Sequence, residues 1–145
     1  MPSEPWFEFG ENVCFSGSYS WRLKDYELRY RGDHDFAKLV DRRIPVSAQR
    51  IDRFVAALDL LEVWHWRDDY HPNDANVDVL DGVNWWFRAK LAGREVNAGG
   101  CNAFPSYADP RQTVIYGDSG GRFGLLRFCL HDIFAIDRYI RQTNT

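Results

Sequence analysis

Between positions 65 and 81 the chain gathers His65, Asp68, Asp69, His71, Asp74, Asp78 and Asp81. Imidazole and carboxylate are the side chains that hold zinc, manganese or iron. His65, Asp69, His71 and Asp81 are the set a metal would use. Their spacing fits no compact ligand motif: there is no H-E-x-x-H, and the segment from Asp74 has neither the sixth-position glycine nor the closing glutamate of a calcium loop. The same acids suggest a second chemistry. Asp68 or Asp69 with Asp81, beside Trp64, Trp66 and Trp86, supplies the paired carboxylates and aromatic platforms of a glycosidase, though not their separation. Cys101 follows Gly99-Gly100 and offers a third, as a thiol on a turn. A nucleophilic cysteine also needs a depressed pKa. None of these sets is complete, so no catalytic residue is assigned and no cofactor is expected.

The same stretch supports recognition. Four of the six tryptophans lie between Trp64 and Pro105. Trp85 and Trp86 are neighbours, so in a strand they point to opposite faces, and one of them need not be core. Trp64, Trp66, Asp68, Asp69, Asp81, Trp86 and Asn102 form the candidate binding set. An exposed tryptophan is a natural anchor for a protein partner.

Two resemblances follow from short motifs. Gly117-Asp118-Ser119-Gly120-Gly121 is similar to the segment around the nucleophile of chymotrypsin-type serine proteases, and the resemblance would make Ser119 that nucleophile. The likeness stops there. Arg122 stands where that family has proline, and no histidine has the expected Ala-Ala before it and Cys after it. The chain is also too short for two β-barrels. Glycine, Asp and Ser are independently what a turn uses. Trp64-x-Trp66, Asp81-Gly82-x-x-Trp85 and Gly100-x-Asn102-Ala103-Phe104-Pro105 resemble a pattern in small uncharacterised bacterial proteins. That group implies no activity. Its small size and lack of a catalytic signature resemble the immunity proteins of bacterial toxin systems.

The 145 residues suit a single domain spanning 1–145. At this length a core forms without disulfides or metal. The aromatic content of 16% is high, and the net charge is −3. That charge argues against nucleic acid. Arg29, Arg31, Arg42, Arg43, Arg50 and Arg53 bunch in the first half, but aspartates intersperse them, which reads as a mixed, solvated surface. Three cysteines without C-x-x-C point to a reducing cytoplasm. Neither a signal peptide nor a membrane span is expected from the sequence.

The elements that must position these residues follow from periodicity. Residues 1–10 read as an extended lead-in. Tyr19, Trp21 and Leu23, then Leu28 and Tyr30, alternate with polar residues and predict an antiparallel meander with one wet face. Ser47 reads as a helix N-cap, before an apolar stripe of Ile51, Phe54, Val55, Leu58 and Leu61. Trp64 to Trp66 has strand-like chemistry, with both tryptophans on one face. Gly82 to Ala98 predicts a hairpin turning at Ala92-Gly93, with Trp85, Phe87, Ala89 and Leu91 on one side. Gly99-Gly100 is expected to break it, and Phe104-Pro105 to open a loop. Thr113 to Tyr116 reads as a short strand. A last helix is expected from about Phe123 to Arg141. The class is α+β: an antiparallel sheet with two helices packed on one face. Its expected function is non-enzymatic binding of another protein, an immunity-type toxin inhibitor among the possibilities. The alternative is a small hydrolase built on the 65–81 segment.

Overall fold

The computed structural model describes residues 5–13, 17–32, 40–72, 83–115, 121–136 and 138. It contains six long antiparallel strands and two helices. The strands are β1 (Trp6–Val13), β2 (Gly17–Lys24), β3 (Glu27–Gly32), β4 (Val40–Pro45), β5 (Val83–Leu91) and β6 (Arg94–Cys101). The helices are α1 (Ala48–Leu60) and α2 (Arg122–Phe134). Strand order is β4-β3-β2-β1-β5-β6. The first four strands form a meander, α1 crosses over, and the β5–β6 hairpin returns to pair with β1. A small ribbon, β7 (Phe104–Pro105) with β8 (Thr113–Val114), precedes α2.

The period-two pattern decides which face is dry. Phe7 and Phe9, Trp21 and Leu23, Leu28 and Tyr30, Phe87 and Ala89 all point inward and are buried. Both helices cover that face. Phe54 of α1 lies 4.9 Å from Phe7. Phe123 of α2 lies 5.6 Å from Phe9 and 4.9 Å from Trp85. Phe134 closes the seam between the helices, 5.2 Å from Phe54 and 5.8 Å from Phe7. Such aromatic pairs add about 0.5–1.5 kcal/mol each beyond their burial.

α1 begins as its sequence predicts. The Ser47 Oγ accepts from the Arg50 backbone N–H at 3.2 Å, satisfying one of the donors a helix leaves open. The outcome differs from the sequence expectation in five places. The last helix, expected to run to Arg141, stops at Phe134, where Ala135 turns left-handed at φ 53; residues 139–141 lie outside the described residues. The lead-in is part of β1, because Phe7 and Phe9 alternate with Glu8 and Gly10 and pair on both sides. Val63–His65 is a 3-10 turn rather than a strand. Glu62, at φ 55, reverses the chain as it leaves α1, so Trp64 and Trp66 no longer share a face. β6 runs through Gly99 and Gly100 to Cys101. Glycine is needed there for close approach: a Cβ on Gly100 would meet the Ala103 carbonyl at 2.5 Å and the Trp85 indole nitrogen at 2.8 Å. Finally, Phe104-Pro105 is a strand. No helix among the described residues is long and apolar enough to cross a membrane.

Candidate functional site

Neither helix packs on the second face of the sheet, called here the open face, and strand pairing fixes what it presents among the described residues. One rung runs across all six strands: Arg43, Arg29, Arg22, Glu8, Arg88 and Asn97. Beside it lies Asp41, Arg31, Ser20, Gly10, Trp86 and Gly99. On the other side Glu27 faces Lys24, and Trp6 faces Lys90, which faces Glu95. Six strands at the usual spacing make each rung about 24 Å long.

Trp86 lies flat on this face. A Cβ on Gly10 would fall 2.0 Å from its Cζ2, so the absence of a side chain at Gly10 makes the bed for the ring. Trp86 is half-buried, and its indole N–H is covered without an acceptor among the described residues. Trp6 borders a shallow depression of about 340 Å³ with Arg88, Lys90, Glu95, Val96 and Asn97. A second cleft, of about 430 Å³, opens between the start of α1 and the β5–β6 turn, with Ile51, Val55 and Leu91 in its wall. Lys90 and Glu95 border both.

The charges on the open face partly pair. Arg29 holds Asp41 through two contacts, at 3.1 and 2.8 Å, and Arg31 approaches it at 3.6 Å. The Arg29 hydrogen bonds hold the Asp41 carboxyl below its ordinary pKa. Arg22 meets Glu8 at 3.3 Å, Arg43 meets Glu27 at 3.8 Å, and Arg88 donates to Asn97 at 3.2 Å. These are exposed pairs, which contribute little to stability.

The residues singled out from sequence are spread over the molecule. Trp66 is core, its Nε1 donating to the Leu61 carbonyl at 3.1 Å. Trp64 is half-buried and serves as a staple. Its Nε1 donates to Asp59 at 2.8 Å, Arg94 meets the same carboxylate at 2.7 Å, and the guanidinium lies 4.6 Å from the ring. Asn102 is buried at φ 55, accepts from the Val83 N–H at 2.7 Å and returns its own N–H to the Val83 carbonyl. It ends the β5–β6 ladder. Asp68, Asp69, His65 and His71 are exposed, and among the described members of the binding set Trp86 alone stands on the open face. Asp81 and the Gly117–Gly120 part of the protease-like string, Ser119 included, lie outside the described residues. Among the described residues no three His, Cys, Asp or Glu side chains gather as metal ligands would.

No protein-family model matches the chain, and no curated protein matches it. Residues without a sequence motif carry much of the polar architecture. Glu11 is buried, accepts from the Tyr19 hydroxyl and meets Arg127 at 3.4 Å. Burial, then the Glu11 charge, pushes the Tyr19 phenol well above its ordinary value. Arg122 donates to the Leu61, Ser106 and Tyr107 carbonyls and meets Glu62 at 3.0 Å, tying the end of α1 to the loop before α2. The buried Tyr70 hydroxyl donates to the Pro110 carbonyl and accepts from the Arg67 N–H at 3.0 Å. Glu11 continues the inward phase of Phe7 and Phe9, a signal visible once residues 6–13 are read as a strand. Of the bunched arginines, Arg29, Arg31 and Arg43 stand on the open face, while Arg50 and Arg53 belong to α1.

Proposed function

We propose that this chain is a non-enzymatic, cytoplasmic protein-binding domain whose contact surface is the open face of the sheet. The observation that carries the reading is Trp86, laid flat over Gly10 on a sheet face that neither helix covers, next on that face of its strand to Arg88 of the arginine rung. Trp and Arg are the residues that most often dominate binding energy at protein interfaces. Trp6 and the depression beside it extend the same surface toward β6. The free thiols of Cys101 and Cys129 suit a reducing compartment. A toxin neutralised by an immunity-type inhibitor is a partner class this reading accommodates.

A photo-crosslinking amino acid placed at Ser20, in the middle of the open face, tests it in cells. The expected result is a discrete crosslinked protein from Ser20 that disappears with Trp86→Ala. The same probe at Asp52, on the exposed side of α1, should yield no such species. Identical products from both positions, or none from Ser20, would overturn the proposal.

A further inference from the structure

Arg43, Arg29 and Arg22 stand directly opposite one another on three successive strands. Like charges placed so are destabilising. Asp41, Glu8 and Glu27 offset part of that repulsion through exposed pairs, but a threonine at any of the three positions would serve the sheet better. Arg88 continues the row beyond Glu8. A row of cations that works against its own sheet implies an anion that rewards it.

We propose that this rung docks a carboxylate-rich segment of the protein partner, laid across the strands from Arg43 to Arg88, with Trp6 and Trp86 on either side of the track. The inference rests on the reading of the open face as a protein-binding surface and gives that partner its chemistry. Every cation of the rung is an arginine, and the guanidinium fork matches a carboxylate with two parallel hydrogen bonds, which lysine cannot do. Arg29 already makes that two-contact arrangement with Asp41. The acids decide between protein and nucleic acid. Glu8 interrupts the rung, while Glu27 and Asp41 flank it. A continuous run of phosphates would pass over them. A folded partner sets carboxylates over the arginines and a donor over Glu8, and so uses both signs.

Titration of the full chain, followed by amide NMR shifts, tests this with three probes of matched length: a glutamate-rich peptide, a lysine-rich peptide and a thymidine oligonucleotide. About eight extended residues span the rung. The glutamate-rich peptide should shift amides of β2, β3 and β5 around Arg22, Arg29 and Arg88, and the lysine-rich peptide should not. Raising salt to about 0.3 M should weaken binding severalfold. Arg22→Gln with Arg29→Gln should weaken it about tenfold while the melting temperature holds or rises; Arg53→Gln, on α1, should change nothing. A rung that was only structural would lose stability instead. If the double variant unfolds, Arg43→Gln alone carries the test, with a loss of severalfold expected. Absence of peptide shifts, equal binding by the variants, or tighter binding of the oligonucleotide would overturn the proposal. Should the peptide fail while Ser20 still crosslinks a protein, the acidic-segment inference falls and the open-face reading stands. Failure of both sinks both.

Discussion

Gly10 is the residue on which the open face turns. Its missing side chain lets Trp86 lie against the sheet, where a Cβ would fall 2.0 Å from the ring. Gly10→Ala therefore forces the indole to lift or the strands to shift. Over-packing of this kind costs about 1–3 kcal/mol, and urea denaturation should show a loss in that range. Acrylamide quenching should show a more accessible tryptophan, a change that vanishes in the Trp86→Phe background. Unchanged quenching would mean that the ring does not rest on Gly10. Trp85, the neighbour in sequence, has the opposite fate: its Nε1 donates to the Ala103 carbonyl at 2.8 Å and its ring packs 4.9 Å from Phe123. One residue of register separates a core tryptophan from a surface one.

At the level of elements, two tight turns each carry one poor turn residue, Tyr26 and Ala92. Asp25 and Tyr26 connect β2 to β3 with φ 53 and 59, and Ala92 and Gly93 connect β5 to β6 with φ 53 and 73. Positive φ at both central positions is the hairpin geometry whose twist matches the strands, and Asn-Gly is its preferred sequence. Alanine in the left-handed region is strained by about 1–2 kcal/mol. Ala92→Asn should recover part of this and raise stability by about 0.5–1 kcal/mol, read from the urea midpoint. A neutral or destabilising result would show that the turn does not hold that geometry in solution. The element boundaries were legible to the extent that local rules set them. Ser47 capped α1 as its type suggests, and Ala92-Gly93 turned the hairpin. The 3-10 turn at Val63–His65 was not legible, because aromatic and β-branched residues favour strands, while Glu62 takes a left-handed backbone at φ 55 that its residue type does not announce.

Across the whole molecule, polar groups buried among aromatics tie separate elements together, and two of them titrate. Tyr19 is held with Glu11 beneath α2, and Tyr70 joins the Arg67 segment to Pro110. Burial raises both phenols above their ordinary value of 10.0, with the Glu11 charge adding at Tyr19. Above that pH the unfolded chain loses these protons first. Their contribution is therefore complete below about pH 10 and is lost as the pH climbs toward the folded values. A pH series of thermal melts should be flat on account of these groups from pH 7 to 9 and fall steeply above about pH 10, with a shallower fall in Tyr70→Phe. An equal slope in that variant would remove Tyr70 from the explanation.

Sequence by itself determined the class of this protein. Alternation of apolar and polar residues over two positions made strands with one dry face. Apolar spacing of three and four made helices, and both readings depend only on neighbours along the chain. It also named Trp85 and Trp86 as a pair that must part. Tertiary structure alone decided which strands sit side by side. Trp64 and Trp66 are close in sequence, yet Trp66 became core and Trp64 a staple with Asp59 and Arg94, while the more distant Asn102 became the end of a ladder. The arginine rung could not be read at all, since Arg22, Arg29, Arg43 and Arg88 lie on four strands and β1 stands between β2 and β5. Periodicity tells each strand which side chains face out. Only the pairing of distant strands, set by burial of the opposite face, tells which outward side chains stand in line.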